Sequence, residues 1–235
     1  MSLQTNKTNP ELGRRIQAHL AELGLATPII QVPNDGRDSR QDYRERKEKI
    51  TRLFAEIMGV MRLDLADDSL METPDRVAKM FLGETFWGLD PDNFPKVTVV
   101  ENKMKYDEMI VERNITVNST CEHHFLPIMG FAHVAYIPEK NVPGLSKINR
   151  IVEYFSRRPQ IQERLTAQIY HALAYILETD NIAVCIDAEH MCVKTRGVED
   201  ACSDTVTSKL GGVFKSNDKV RAEFYSIVAM KKPMV

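Results

Sequence analysis

The sequence has little of what marks a secreted, membrane-spanning or nucleic-acid-binding protein. Only four of its 235 residues are cysteines, too few for a disulfide scaffold, which predicts a cytoplasmic protein with reduced thiols. No run approaches the roughly 18 consecutive apolar residues of a membrane span, and the opening residues show no secretory signal. Lysine and arginine number 31 against 33 acidic residues, a net charge of −2, so no nucleic acid partner is expected.

The composition is otherwise that of a globular protein, and its hydrophobic period changes along the chain. Hydrophobic residues make up 43%, which is too many for a disordered protein. Before residue 95 apolar side chains recur at helical spacing. Helices are predicted there at 11–23, at 41–60 and from Thr73-Pro74 to near Gly88, with a loop at 28–40.

Beyond residue 96, runs rich in β-branched residues predict strands. They lie at 97–100, 109–117, 130–137, 182–186 and 190–194, and a further extended segment runs to Val213. Two helices are inserted, one capped by Ser146 and ending at Phe155 and one beginning at Pro159, and a last helix covers 218–229. The pattern predicts an α+β fold, with an N-terminal helical region over 1–95 and a mostly antiparallel sheet over 96–235.

Two short segments carry residues suited to metal chemistry. Cys121-Glu122-His123-His124 places a thiol and two imidazoles within one turn of chain. His190-Met191-Cys192 lies in a predicted strand, where residues two apart point to the same side. Thiolate and imidazole are preferred zinc ligands, so Cys121, His124 and Cys192 are candidate ligands. Three protein ligands favour a catalytic zinc with a position left for water, and His123 and His190 are then available to move protons.

Non-catalytic interpretations of the same residues stay open. A single cysteine or histidine is usually a core residue, and Cys185, in an apolar strand, is best interpreted that way. A structural zinc in a non-catalytic nucleotide-binding protein is the main rival, and a fourth protein ligand such as Cys185 would favour it.

A candidate anion site lies in the segment Gly144–Arg150. It puts Lys147 and Arg150 in the first turn of a predicted helix, where the helix dipole disfavours positive charge. A bound phosphate would remove the conflict, since backbone N–H groups and cations would converge on it. Arg196 is a further candidate for this role, and a solvated basic helix is the competing interpretation.

Several motifs together resemble the GTP cyclohydrolase I family. They are EMIVERNITVNSTCEHH at 108–124, GLSKINRIV at 144–152, RPQIQERLT at 158–166, HMCVKTRG at 190–197 and GGVFKS at 211–216, with a weaker echo in TPDRVAKMF at 73–81. The resemblance covers roughly the last two thirds of the chain and keeps the motifs in one order. A relative that takes a different purine or pterin is the alternative within this resemblance.

The resemblance implies a fold, an assembly and a reaction. The fold is the T-fold, or tunnelling fold, whose subunits join their sheets into a barrel and form a homodecamer of two pentamers, with active sites at subunit junctions. The reaction converts GTP and water into formate and 7,8-dihydroneopterin triphosphate, the first step of folate and pterin biosynthesis.

The resemblance also implies roles for residues at matching positions. Cys121, His124 and Cys192 would bind zinc and leave one position for the water that attacks C8 of guanine. His123 and His190 would be the acid–base groups, and Ser146 would act near the ribose. The substrate-binding residues would be Glu163 and Gln162 at the guanine edge, and Lys147, Arg150, Arg196, Arg76 and Lys79 at the triphosphate, the last two from an adjacent subunit.

Overall fold

The computed structural model describes residues 7–29 and 39–230, so most of the loop predicted at 28–40 lies outside the described residues. Eight α-helices and seven strands lie within these ranges. The helices are α1 (Pro10–Glu22), α2 (Ser39–Val60), α3 (Thr73–Met80), α4 (Leu145–Ser156), α5 (Gln162–Leu177), α6 (Met191–Lys194), α7 (Gly212–Ser216) and α8 (Asp218–Ala229). The strands are β1 (Val99–Glu101), β2 (Ile110–Cys121), β3 (Pro127–Tyr136), β4 (Asn141–Pro143), β5 (Pro159–Gln160), β6 (Ile182–His190) and β7 (Thr205–Leu210).

A five-stranded sheet in the order β5-β2-β3-β6-β7 forms the centre of the fold. The pairs β2–β3, β3–β6 and β6–β7 are antiparallel, whereas β5 runs parallel to β2. In that short parallel pair Thr120 lies opposite Pro159 and Cys121 opposite Gln160. Strands β1 and β4 form a separate two-stranded ribbon. The architecture is therefore α+β, with α4 and α5 between β3 and β6 in the chain.

The two faces of the sheet are covered by different helices. One core cluster joins Val117 of β2 to Ile151 of α4, Ile169 of α5 and Ile16 of α1. A second, smaller cluster on the other face contains Phe214 and Phe224 of the two C-terminal helices, together with Cys185. The helix α1 thus shares a core with the sheet.

Several predicted element boundaries differ from the structure. The helix predicted to end near Gly88 is α-helical only as far as Met80. A π-helical turn, Phe81–Thr85, and a 3-10 turn, Trp87–Leu89, follow it. The long helix predicted from Pro159 begins at Gln162, because the two residues after Arg158 pair with β2 instead. The prediction that Ser146 caps its helix is wrong, because the cap position is Gly144 and no side chain bonds there.

The strand predicted at 190–194 is also wrong. β6 ends at His190, and α6 follows at once. Thr195 closes this helical turn with two bonds to the carbonyl of Met191, one from its backbone N–H and one from its hydroxyl. The extended segment predicted through Val213 ends earlier, because α7 begins at Gly212, where φ is +48°. None of the described helices is long and apolar enough to cross a membrane.

Candidate metal and substrate site

The three candidate ligands meet at one end of the sheet. Cys121 is the last residue of β2, His124 lies in the turn that follows, and Cys192 lies in α6. One ligand atom from each of the three lies within 4.8 Å of the others. Both cysteines are buried and His124 is exposed. Two soft sulfurs and one imidazole form a donor set that suits zinc.

The turn after β2 is held by backbone hydrogen bonds. The N–H of Phe125 donates to the carbonyl of Cys121 at 2.9 Å, and the N–H of Cys121 donates to the carbonyl of Leu126 at 2.8 Å. The chain then returns along β3. The closed loop fixes the backbone between the first candidate ligand and His124 without using either side chain.

Burial and the nearby Cys121 raise the pKa of the Cys192 thiol. Two adjacent sulfurs in a buried place disfavour the thiolate form, because each would repel the other's negative charge. A cation between them reverses this preference, so metal binding at such a site releases protons.

His190, at the end of β6, is oriented by Gln162 at the start of α5. The Gln162 Nε2 group donates to the carbonyls of Ile186, at 3.1 Å, and Thr205, at 2.7 Å, so this atom is the amide nitrogen. Its Oε1 atom lies 2.8 Å from His190 Nε2 and can only accept. His190 therefore carries a proton on Nε2, and Nδ1 is the nitrogen left to accept one. Burial lowers the pKa of His190, and the carboxylate of Glu163 opposes that shift.

Other charged groups connect the turn to its surroundings. Glu122 pairs with Arg164 of α5, and the guanidinium Nε of Arg164 also donates to Gln160 at 2.9 Å. The Glu122 N–H donates to the carbonyl of Gln160 at 3.0 Å. Arg196 Nη1 lies 2.9 Å from His124 Nε2. The first turn of α5, which carries the exposed Glu163, is thereby connected to the turn after β2, residues 122–125, which carries His124 and is called the metal-ligand turn below.

The structure brings only part of the predicted site together in one chain. The residues gathered at this end of the sheet are Cys121, His123, His124, Gln162, Glu163, His190, Cys192 and Arg196. Ser146, Lys147 and Arg150 lie in the first half of α4, whereas the C-terminal end of α4 leads to β5 beside the candidate metal ligand Cys121. Ten residues of helix at about 1.5 Å each put Lys147 on the order of 15 Å from Arg157.

The remaining two candidate cations lie on α3. Arg76 is exposed and pairs with Glu72 at 2.7 Å, and Lys79 is exposed in the last turn. The ring of Phe81, directly after α3, contacts that of Phe125 in the metal-ligand turn. The end of α3 therefore lies beside the metal-ligand turn of its own chain.

Residues 50–229 match the family model of GTP cyclohydrolase I. The chain belongs to the GTP cyclohydrolase I family. The resemblance predicted from the motifs is thus confirmed, and the match also covers the second half of α2 and all of α3. The family's reaction is that of this chain: hydrolytic opening of the guanine imidazole ring of GTP at C8, release of formate and formation of 7,8-dihydroneopterin triphosphate.

Relatives of the same family are similar over nearly the whole chain. GTP cyclohydrolase 1 from Shewanella loihica is 54% identical over 216 residues, covering 92% of this chain and 98% of the relative. GTP cyclohydrolase 1 from Serratia proteamaculans is 56% identical over 213 residues, covering 91% and 93%. A solved dihydroneopterin aldolase from Burkholderia thailendensis is only distantly similar, with 14% identity and a TM-score of 0.31 over 47% of this chain and 97% of that one.

Two features of this GTP cyclohydrolase I site are missing from the sequence predictions. One is the Glu122–Arg164 pair, and the other is the contact of Phe125 with aromatic residues after α3. The sequence points to these residues only by their place in the chain, because Glu122 and Phe125 flank the two histidines. Their partners are about 40 residues away along the chain, and no local pattern connects them.

Proposed function

We propose that Cys121, His124 and Cys192 bind a catalytic zinc ion in this member of the family. The observation that carries this proposal is the meeting of one thiol from β2, one imidazole from the turn and one thiol from α6 within 4.8 Å. Cys185, the residue whose ligation would favour a structural zinc, packs in the cluster on the opposite face of the sheet. When bound, zinc supplies a Lewis acid that lowers the pKa of a coordinated water toward about 7.

His123 and His190 are the proposed acid–base groups. The His190 Nδ1 atom is the free acceptor of that ring, and burial keeps the ring neutral and able to take a proton. His123 is exposed, and its Nδ1 lies 3.8 Å from the Cys121 sulfur, so it can exchange protons with water beside the metal. Two imidazoles on different elements can thus serve different proton transfers.

Recognition of the guanine is assigned to Glu163. Its carboxylate is exposed at the start of α5 and can accept hydrogen bonds from the N–H groups at the edge of the base. Gln162 is predicted from the family resemblance to contact the guanine as well. Its side chain is 1% exposed and bonded entirely to the protein, which supports a role in holding His190.

The triphosphate is assigned to cations from more than one subunit. Arg196 lies at the metal end of one chain, and Arg76 and Lys79 on α3 are assigned to an adjacent subunit, as the family resemblance implies. Lys147 and Arg150, with Ser146 toward the ribose, would come from α4 of a neighbouring subunit, because the same chain holds them at the other end of the helix.

A T-fold homodecamer of two pentamers is the proposed assembly. Among the described strands, β7 has one free edge and most of the outer edge of β2 is free. Pairing such edges between subunits would remove an aggregation liability. In α2 the apolar side chains Leu53, Ile57 and Val60 are 44%, 51% and 85% exposed, as expected of a surface that another subunit covers.

The division into a helical region, 1–95, and a T-fold catalytic domain, 96–235, stays part of this proposal. We also propose a cytoplasmic location, because Cys121 and Cys192 must remain reduced to serve as ligands and both are free thiols here.

The decisive experiment incubates the protein with GTP, with and without a strong chelator, and follows formate and pterin absorption. We expect both products, loss of both with the chelator, and recovery on adding zinc. Cys192→Ser should lose the metal, whereas His123→Ala should keep it and lose turnover by about 10²–10⁴-fold. Turnover that survives complete removal of metal would refute the proposal.

A further inference from the structure

Three phenylalanines form an aromatic cluster against the metal-ligand turn. Phe81 and Phe86 stack, with ring centroids 5.2 Å apart and planes within 10° of each other. Phe125 meets both rings edge-on, at 5.9 Å from Phe81 and 5.5 Å from Phe86. These are favourable geometries for aromatic pairs. Phe125 directly follows His124, so the cluster joins the segment after α3 to the candidate metal ligand.

The stacked pair depends on an unusual backbone feature. Residues Phe81–Thr85 form a π-helical turn, in which the N–H of Phe86 donates to the carbonyl of Phe81 at 2.9 Å. In an α-helix, residues five apart point in different directions, whereas the wider π turn brings residues i and i+5 to one side. Such turns are rare and often occur at functional sites. Here the turn brings the rings of Phe81 and Phe86 together, and both contact the ring of Phe125.

Phe125 itself adopts a left-handed backbone conformation, with φ of +55°. Bulky residues rarely adopt positive φ, and the conformation persists only where the surroundings enforce it. The backbone bond from the Phe125 N–H to Cys121 closes the turn, and the two rings after α3 hold the side chain. Although the Phe125 side chain is 53% exposed, it is therefore constrained on its buried side.

We infer that the cluster of Phe81, Phe86 and Phe125 is a positioning device that orders the metal-ligand turn before the metal arrives. The inference rests on the proposed zinc site and extends it. His124, unlike the two cysteines, is exposed and lies outside the regular elements, so its placement depends on the turn. Holding Phe125 in place reduces the ordering that zinc binding must otherwise supply, which tightens metal binding.

The test measures zinc affinity and release in the full-length protein, using competition with a chromophoric chelator. Phe125→Ala and Phe81→Leu should each weaken zinc binding about tenfold, mainly through faster release. The double variant Phe81→Leu/Phe125→Ala should bind zinc no more weakly than Phe125→Ala alone, because Phe81 acts on the turn only through the Phe125 ring, which is then already absent. At saturating zinc, turnover of GTP by Phe81→Leu should return to near the wild-type rate.

Phe131→Leu is the matched control, since Phe131 is 51% exposed on β3 and makes none of these ring contacts. Its zinc affinity should equal that of the wild type. Wild-type affinity in folded Phe81→Leu and Phe125→Ala would overturn the inference while leaving the zinc site intact. Wild-type zinc affinity in Phe125→Gly would also overturn the inference, because the left-handed backbone at position 125 would then order the turn without the Phe125 ring. Failure of the unaltered protein to bind zinc would instead defeat the proposed function.

Discussion

At the scale of single residues, the hydrogen bonds of Gln162 decide which nitrogen of His190 can act. Two backbone carbonyls fix the orientation of the Gln162 amide, and the amide oxygen then fixes the proton on His190 Nε2. The hydroxyl oxygen of Thr207 also lies 3.1 Å from the Gln162 amide nitrogen and shares one of its two hydrogens. A buried glutamine thus sets the tautomer of His190, one of the two proposed acid–base groups.

Gln162→Met keeps the shape of the side chain and removes these bonds. We expect turnover of GTP to fall roughly 10- to 100-fold while zinc stays bound, because an imidazole released from its acceptor loses tautomer and orientation. The free energy of unfolding should also fall, by about 1–3 kcal/mol, since two buried carbonyls lose a donor. Steady-state kinetics, metal analysis and thermal unfolding measure the three effects.

Gln168→Met separates the catalytic effect from the structural one. Gln168 lies on the same helix and is fully buried. Its Nε2 donates to the carbonyl of Leu25 at 2.6 Å and its Oε1 accepts from Gln160 Nε2 at 2.7 Å, so these bonds go to partners other than His190. The Gln168→Met variant should have a lower free energy of unfolding but keep the turnover number of the wild type. Equal losses of turnover in both variants would mean that Gln162 contributes packing only.

His133 is a buried imidazole on the face of the sheet that α8 covers. Its side chain is 7% exposed, and within the described residues its Nδ1 has no hydrogen-bond partner. Burial, and then the positive charge of Arg113, lower the pKa of His133 below its usual 6.5, against the opposing effect of Asp187. The folded protein therefore resists protonation at this position.

The pH dependence of stability follows from that resistance. Above pH about 6.5 His133 is neutral in both states and contributes no difference. Below it the unfolded chain takes up a proton that the folded chain refuses, so the free energy of unfolding falls with pH down to the folded pKa. Between pH 7 and pH 5, the melting temperature of the His133→Leu variant should fall less than that of the wild type. An equally steep loss in the variant would assign the acid sensitivity to other groups.

At the scale of elements, α5 ends on a strained residue. Glu178 occupies the C-cap with φ of +56° and ψ of +39°, a left-handed conformation that glycine adopts freely. Its ion pair with Lys140, at 3.9 Å, is exposed on both sides and contributes little to stability.

Glu178→Gly should therefore raise the free energy of unfolding, by up to about 1 kcal/mol, since relief of strain exceeds the added freedom of the unfolded chain. Glu178→Ala is the matched control, because it also removes the ion pair but keeps a Cβ at positive φ. Thermal unfolding should rank glycine above alanine. The reverse order would show that the cap is not strained.

Prediction from sequence succeeded for elements with a sustained period. The long helix α5 shows the expected stripe, and Leu165, Ile169 and Leu173 are all buried in the main core. Prediction failed where three or four residues change conformation, as in α6, because so short a segment has no period to detect. His190 and Cys192 lie at the same end of the sheet, but the prediction that one strand carries both was wrong.

At the scale of the whole molecule, the candidate site divides into two groups of residues. The candidate metal ligands and His123 lie at one end of the sheet, and Lys147 lies near the start of α4, toward the other end. Motif spacing identified both groups, but sequence alone cannot show that one chain keeps them apart. That separation follows from the direction of α4, whose last residues lead into β5 beside Cys121.

A mixed assembly tests whether neighbouring subunits complete each other's sites. His123→Ala and Lys147→Ala should each be nearly inactive alone at low GTP, yet coexpression in equal amounts should restore about a quarter of wild-type activity. Each site takes its metal half, which contains His123, from one chain and its phosphate half, which contains Lys147, from another. In an equal mixture each half is unaltered in about half of the sites, so about a quarter of the sites have both halves unaltered. His123→Ala coexpressed with His190→Ala is the control, and it should stay inactive because both changes lie in one half. Activity in tandem-purified mixed oligomers measures both, and no recovery in the first mixture would place Lys147 and His123 in a single chain's site.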